Sequence, residues 1–155
     1  MVEVRQWRIR PAGPGDIEAI AALDRGESGS SWSALSYAGE LKLAWSHLEV
    51  ALSTQPGDDA ALAGALVYWI VTDEVQLLNI LTAPHLRRKG LGRFMMEHLF
   101  ERARAASAVR ITLEVRATNG AAIALYIAFG FREVGVRQAY YRRGGEDAVL
   151  MEAPV

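Results

Sequence analysis

Between Gly90 and about Ala106, apolar residues recur at Leu91, Phe94, Met95, Leu99, Ala103 and Ala106, while Arg93, Glu97, Glu101 and Arg104 fall on the opposite side. That spacing of three and four predicts a helix with one buried stripe. The period then changes. In RITLEVR, Ile111, Leu113 and Val115 alternate with Thr112 and Glu114, which predicts a strand covered on one face. The same reasoning covers the rest of the chain. RQWRIRPA alternates and stops at Pro11, a short first strand. Asp16 is placed to cap a helix through about Leu23, with Ile17, Ile20, Ala21 and Leu23 inward. DRGESGSSWS reads as a loop. Ser33 can cap a second helix to about Ala44, with Leu35 and Leu41 facing inward.

SHLEVALS is the next strand, and TQPGDD a turn centred on Pro56-Gly57. Two strands, Ala61–Val71 and Val75–Thr82, join tightly around Asp73. NGAAIALYIAFGF is a short helix capped by Thr118 or Asn119 and closed by a left-handed Gly130, with Phe131 folding back. Glu133–Tyr141 and Ala148–Ala153 are final strands linked by RRGGED. The order β-α-α-β-β-β-α-β-α-β-β predicts an α/β (α+β) fold, a mixed sheet with helices on both faces. Trp7, Trp45 and Trp69 are most simply core residues.

Composition narrows this picture in a few places. A length of 155 residues, half of them hydrophobic, suits a single domain spanning 1–155 with one core. A net charge of −1 makes the protein as a whole no polyanion binder, so no direct nucleic-acid partner is expected. Without cysteine there is no disulfide, thiolate metal site or cysteine nucleophile, which fits a cytoplasmic protein. His47, His85 and His98 lack metal-ligand spacing, and no metal is expected. The charged start MVEVRQWRIR is unlike a signal peptide. The most apolar run, Ala60 to Val71, is about half the ~20 residues a membrane span needs, so no membrane partner is expected. Oligomeric state is not legible.

One stretch carries candidate chemistry. In RRKGLGR, from Arg87 to Arg93, a strand gives way to a helix through two glycines among basic residues. The first N–H groups of a helix have no intrahelical partner, and with the helix dipole they suit a phosphate. Gly90 and Gly92 remove the Cβ atoms that would hold a ligand off, and Arg87, Arg88, Lys89 and Arg93 add positive charge. The alternative is a tight turn with a solvated basic face. A P-loop is excluded because Arg93 and Phe94 stand where Lys-Ser/Thr is needed, and a dinucleotide fingerprint because Met95 takes the third glycine's place.

The pattern left over, Arg87-x-x-Gly90-x-Gly92, resembles the acetyl-CoA signature of the GNAT superfamily of N-acetyltransferases. From Leu77 to Met151, through LLNI, RRKGLGR, LEVRATNGAAIALY, GFREVG, AYY and EDAVLM, the chain looks like the bacterial ribosomal-protein-alanine N-acetyltransferases, and SWS at Ser31–Ser33 is similar to their Pro-Trp-Ser element. The resemblance implies a mostly antiparallel central sheet of about seven strands. It implies acetyl-CoA as co-substrate, its pantetheine arm along Ile80, Leu81 and Thr82, its pyrophosphate on the loop from Arg88 to Arg93 (Leu91 included), and Asn119 reaching it from the next helix. Glu114 corresponds to a general base and Tyr126 to a general acid. Thr82 for valine, Ala83 for an acidic residue, Ile127 after Tyr126 and a short YYRRGGED turn depart from the family and bear on the acceptor.

These residues also have plainer readings. Glu114 could be a surface residue beside Arg116, Tyr126 a core aromatic, Asn119 a helix cap. Trp32, Tyr140 and Tyr141 are either walls of an acceptor groove or structural aromatics. The implied function is acetyl transfer to the α-amine of a protein N-terminus, in the family an alanine on a small-subunit ribosomal protein. Alternatives are acetylation of a small amine, or a non-catalytic acyl-CoA-binding module.

Overall fold

A computed structural model describes residues 6–25, 32–57, 61–141 and 146–155, Tyr141 through its main chain only. Its strands are β1 (Trp7–Pro11), β2 (Ser46–Ser53), β3 (Leu62–Val71), β4 (Glu74–Thr82), β5 (Arg110–Arg116), β6 (Arg132–Tyr141) and β7 (Glu146–Pro154). The helices are α1 (Ile17–Arg25), α2 (Ala34–Glu40), α3 (Leu91–Ala105) and α4 (Gly120–Ala128), with 3-10 turns at Pro14–Asp16 and Pro84–Leu86. The element order is the one the hydrophobic pattern predicts. The strands form one seven-stranded mixed sheet in the order β1-β2-β3-β4-β5-β7-β6. The β1–β2, β5–β7 and β6–β7 pairs are antiparallel, and β4–β5 is parallel. The chain clusters into two compact units, one running to Val67 and including Asn79–Met95, the other comprising Tyr68–Leu78 and Met96–Val155.

In the first unit, β1 pairs with β2 from Trp7↔Ser53 to Pro11↔Glu49, and Trp7 is buried with its ring 5.9 Å from Phe94. Asp16 does not cap α1 as expected. It ends the preceding 3-10 turn, because Pro14 begins the helical course early, and its carboxylate turns back to accept from the Gly13 N–H at 2.8 Å. Both Arg10 Nη atoms donate to it at 2.9 Å. That fork, followed by the Gly13 bond, lowers the Asp16 pKa to about 2.

Ser33 does cap α2, accepting from the Ser36 N–H at 3.1 Å, but the helix ends at Glu40, short of Ala44. Its buried residue is Tyr37. Leu35, two positions earlier and so about 200° around the helix, is 83% exposed rather than inward. Trp45, in the turns that follow, is 46% exposed and not core, and Trp69 is half-buried. Pro56-Gly57 turns with Gly57 at φ 89°, whereas most of the serine-rich loop (26–31) and the residues 142–145 of the last turn lie outside the described residues.

In the second unit, β4 and β5 pair from Glu74↔Arg110 to Leu77↔Leu113. β7 lies along the whole of β5, from Arg110↔Pro154 to Arg116↔Ala148, with β6 beyond it. The buried face of α3 is wider than one stripe, since Met96 and Phe100 join Met95, Leu99 and Ala103. Phe100 stacks on Phe129 at 5.8 Å and meets Phe131 edge-on at 5.9 Å. α4 closes as the glycine predicts. Gly130 has φ +90°, its N–H donates to the Ile127 carbonyl, and the Phe131 N–H donates to the Tyr126 carbonyl at 3.1 Å. This pair of bonds is the Schellman closure. No helix among the described residues is long and apolar enough to cross a membrane.

Candidate active site

β4 leads through the Pro84–Leu86 turn into four successive exposed residues, Arg87 to Gly90, and then α3. Two of them are left-handed, Arg88 at φ 64° and Gly90 at φ 88°. An L-residue enters that region at a cost of about 1–2 kcal/mol, so the turn is shaped against local preference at Arg88 and conceded to glycine at Gly90. A Cβ built on Gly90 would meet nothing within 4 Å. The approach to the start of α3 is thus open and basic, a donor set that fits a diphosphate. Arg93 is exposed on the first turn of α3 and Gly92 half-buried beside it.

Not every predicted cradle residue offers a side chain. Leu91 and Leu81 are buried in the core, so only their main chains can face a ligand. Ile80 and Thr82 are half-buried. A Cβ on Gly64 of β3 would lie 2.5 Å from the Leu81 carbonyl oxygen and 3.1 Å from Met95 Cε, so the glycine is what allows β4 to take its course there. Sequence reasoning missed Gly64, because nothing local marks a glycine in an apolar run as a point of close approach.

In the second unit, Glu114 sits on β5 between buried Leu113 and Val115. Arg137 of β6 reaches it, Nη2 lying 3.3 Å from Glu114 Oε1, and the Glu114 side chain keeps 27% of its surface exposed. Register explains the reach. Glu114, Leu150 and Gly135 form one row across β5, β7 and β6, and Arg137 is two residues farther along β6, on the same face. The Arg137 guanidinium also lies 5.4 Å above the exposed Tyr140 ring. Arg116 pairs with Glu146 at 2.9 Å, and Thr118 donates to the same carboxylate at 2.7 Å. Those two bonds, Thr118's first, lower the Glu146 pKa.

Tyr126 is 5% exposed, its ring 5.7 Å from Phe131, so the phenol is held rigidly. Asn119 does act as the cap of α4, Oδ1 accepting from the Ala122 N–H at 3.2 Å. Tyr141's side chain lies outside the described residues.

Trp32, in the first unit, is half-buried with its ring 5.0 Å from Tyr37. Beneath it lies a polar cluster that sequence reading overlooked. Tyr37 donates to Asp24 Oδ2 at 2.5 Å, and Asn79 Nδ2 donates to the Tyr37 oxygen at 3.0 Å. Burial, and next the Asp24 carboxyl, push the Tyr37 hydroxyl above its usual range, so it stays protonated and donates. A signal existed: Asp24 continues the spacing of Ile17, Ile20 and Ala21, which puts a carboxyl on an apolar stripe.

The Acetyltransferase (GNAT) family model matches residues 18–131. The chain is 35% identical, over 142 residues that make 90% of it and 92% of the relative, to an Escherichia coli (strain K12) protein named ribosomal protein bS18-alanine N-acetyltransferase. A Salmonella typhimurium protein of the same name is 42% identical over 99 residues, 63% of this chain and 67% of that one. The crystal structure of the Escherichia coli enzyme of this kind superposes with a TM-score of 0.84 at 32% identity, covering 96% of this chain and 94% of its own. A match that takes in the glycine turn, Glu114 and Tyr126, joined to near full-length likeness to a named acetyltransferase, shows that the chain belongs to the GNAT acetyltransferase family.

Proposed function

We propose that this acetyltransferase modifies the α-amine of a protein N-terminus, with the alanine that begins a small-subunit ribosomal protein as its acceptor. The observation that carries the reading is the 35% identity, across 90% of the chain, to a relative whose name states that reaction. Acetyl-CoA supplies the activated thioester in this family. Arg87, Arg88, Lys89, Arg93 and the N–H groups of Gly90, Leu91 and Gly92 hold its diphosphate, the main chain of Ile80, Leu81 and Thr82 aligns the pantetheine arm, and Asn119 adds a polar contact. Trp32, Tyr140 and Tyr141 flank the acceptor peptide.

Transfer to an amine requires that the nitrogen lose a proton and the departing sulfur gain one. Glu114 takes the first, directly or through a water, and the Tyr126 hydroxyl gives the second. A phenol near ~10 can protonate a thiolate whose acid titrates near ~8.5 if it behaves as a cysteine does. An α-amine titrates near ~7.7–8.0 and a lysine amine near ~10.4, so at neutral pH the α-amine offers a few hundredfold more free base. Arg137 at 3.3 Å from Glu114 supports that choice, because an acceptor that is still an ammonium when brought to the same carboxylate meets the guanidinium, and a lysine is far more often in that form than an α-amine.

The test is to incubate the protein with acetyl-CoA and a peptide beginning Ala-Arg and to follow release of free thiol. Turnover on the peptide, weaker on lysine and polyamine acceptors, is expected. Turnover on small amines alone overturns the reading, and coenzyme A binding without turnover on either class points to a binding module.

A further inference from the structure

Three polar side chains converge in the first unit where the hydrophobic pattern calls for apolar ones. Asp24 ends the buried stripe of α1 and is 1% exposed; Tyr37 is the buried residue of α2; Asn79 interrupts the apolar run of β4. Their hydrogen bonds form a directed chain. The Ile80 N–H donates to Asn79 Oδ1 at 3.0 Å, Asn79 Nδ2 donates to the Tyr37 oxygen at 3.0 Å, and the Tyr37 hydroxyl donates to Asp24 Oδ2 at 2.5 Å. Asp24 Oδ1 is buried and meets no donor among the described residues. Burying such groups costs free energy that apolar side chains of the same shape would not, and a half-satisfied carboxyl costs more. Stability therefore does not explain the cluster; geometry does.

The chain ends on the main chain of Ile80, one of the residues proposed to align the pantetheine arm. Trp32, proposed to flank the acceptor, lies against Tyr37. We infer, on the functional reading above, that Asp24, Tyr37 and Asn79 are positioning residues that fix the β4 backbone at Ile80 for the thioester and tie it to the acceptor wall at Trp32. None of the three touches a reacting atom. The Asn79 carboxamide is held flat between a phenol and the strand, and the phenol is held by a carboxyl on a separate helix, so rotation of the Ile80 peptide is resisted from two elements. Gly64 admits β4 from the other strand, and the polar chain then fixes its orientation.

Tyr37→Phe retains the ring against Trp32 and removes both hydroxyl bonds. Amide exchange at Ile80, followed by NMR in the ligand-free protein, should quicken about tenfold or more. kcat/KM for acetyl-CoA should fall about 10- to 100-fold, with KM for an Ala-Arg peptide within twofold of wild type. Asp24→Asn keeps an acceptor for the phenol and should retain most activity, whereas Asp24→Leu should lose it without a matching loss of melting temperature. If Tyr37→Phe and Asp24→Leu leave Ile80 exchange and kcat/KM within twofold, whatever their melting temperatures, the cluster is packing alone and the inference is overturned. Should Tyr37→Phe not fold, Asn79→Ser and Asp24→Leu carry the same comparison, with Asp24→Asn as the variant expected to retain activity. Should wild type acetylate no N-terminal peptide, the acceptor reading fails, and Ile80 exchange with coenzyme A calorimetry on the same variants still decides this inference.

Discussion

Replacing Gly64 with alanine places one methyl group 2.5 Å from the Leu81 carbonyl oxygen, 3.1 Å from Met95 Cε and 3.3 Å from Met95 Sδ. A carbon rests against a carbonyl oxygen at about 3.3–3.6 Å, so roughly 0.8 Å must be found. Met95 can swing aside, since an unbranched thioether repacks readily. The carbonyl cannot, because it belongs to β4 close to where the Ala83 N–H is bonded to the Ala63 carbonyl at 2.8 Å. Overpacking of this kind costs about 1–3 kcal/mol, which in a chain of this length lowers the melting temperature by about 3–12 °C. The functional loss should exceed what the stability loss explains. A displacement of about 1 Å in a segment proposed to align the thioester costs about 100-fold, so kcat/KM for acetyl-CoA should fall by that order at a temperature where the variant is fully folded. Thermal unfolding by circular dichroism and steady-state kinetics read the two effects separately. Adding Met95→Leu, which removes the Met95 Cε and Sδ atoms at little cost in volume, should not restore the enzyme if the backbone is the obstacle. A melting temperature within about 1 °C of wild type with unchanged kinetics, or rescue by Met95→Leu, would refute the reasoning.

Gly90→Ala meets no atom but must hold φ +88°, so it should cost about 1–2 kcal/mol by unfolding and raise KM for acetyl-CoA while leaving kcat largely intact. Tyr126→Phe should lower kcat about 100-fold or more with KM for acetyl-CoA nearly unchanged; a large rise in KM alone would make Tyr126 a binding residue. Arg137→Gln should narrow the preference for an α-amine over a lysine amine, measured as a ratio of kcat/KM on matched peptides; an unchanged ratio would remove Arg137 from specificity. Asp16, depressed to about 2 by Arg10, contributes stability that is complete above the ordinary carboxyl range and is lost as pH falls through about 4 to 2. Because the pair is partly exposed, the difference between wild type and Asp16→Asn in urea unfolding should be no more than about 1 kcal/mol at pH 6, should shrink as pH falls from about 4 to 2, and should vanish only below about 2.

Period was enough to order every helix and strand, because a buried stripe is written in consecutive residues. It was not enough to orient α2. Two candidate inward residues, Leu35 and Tyr37, are about 200° apart on a seven-residue helix, and hydropathy favours the wrong one. Tyr37 is inside because Asp24 and Asn79 await its hydroxyl, and a partner 42 residues away leaves no local mark. Trp45 fails for the opposite reason: it is a large apolar side chain in a turn, and 46% of it stays exposed. The site divides in the same way. The glycine turn and the α4 cap are local devices and were legible; the roles proposed for Glu114 and Tyr126 rest on the motif around them. Gly64, Arg137 and the partners of Asp24 depend on which strands and helices lie side by side, and that is not written in any single segment.

The Arg137–Glu114 pair bears on the kind of amine proposed as acceptor. A base is needed most by a lysine, which holds its proton to about pH 10, and least by an α-amine, which is already partly free at neutral pH. Glu114 shares a sheet face with Arg137 and keeps contact with solvent. At about 4 Å two like charges repel by roughly 1–4 kcal/mol between bulk water and a protein surface, enough to disfavour a polyamine or lysine ammonium brought to the same spot. The free-base fraction escapes that penalty, and at neutral pH it is a few hundredfold larger for an α-amine than for lysine. On the function proposed above, the geometric precision lies on the thioester side, with Gly64 admitting β4 and the Asp24–Tyr37–Asn79 chain bonded to it. That arrangement suits an acceptor recognised by being the start of a polypeptide.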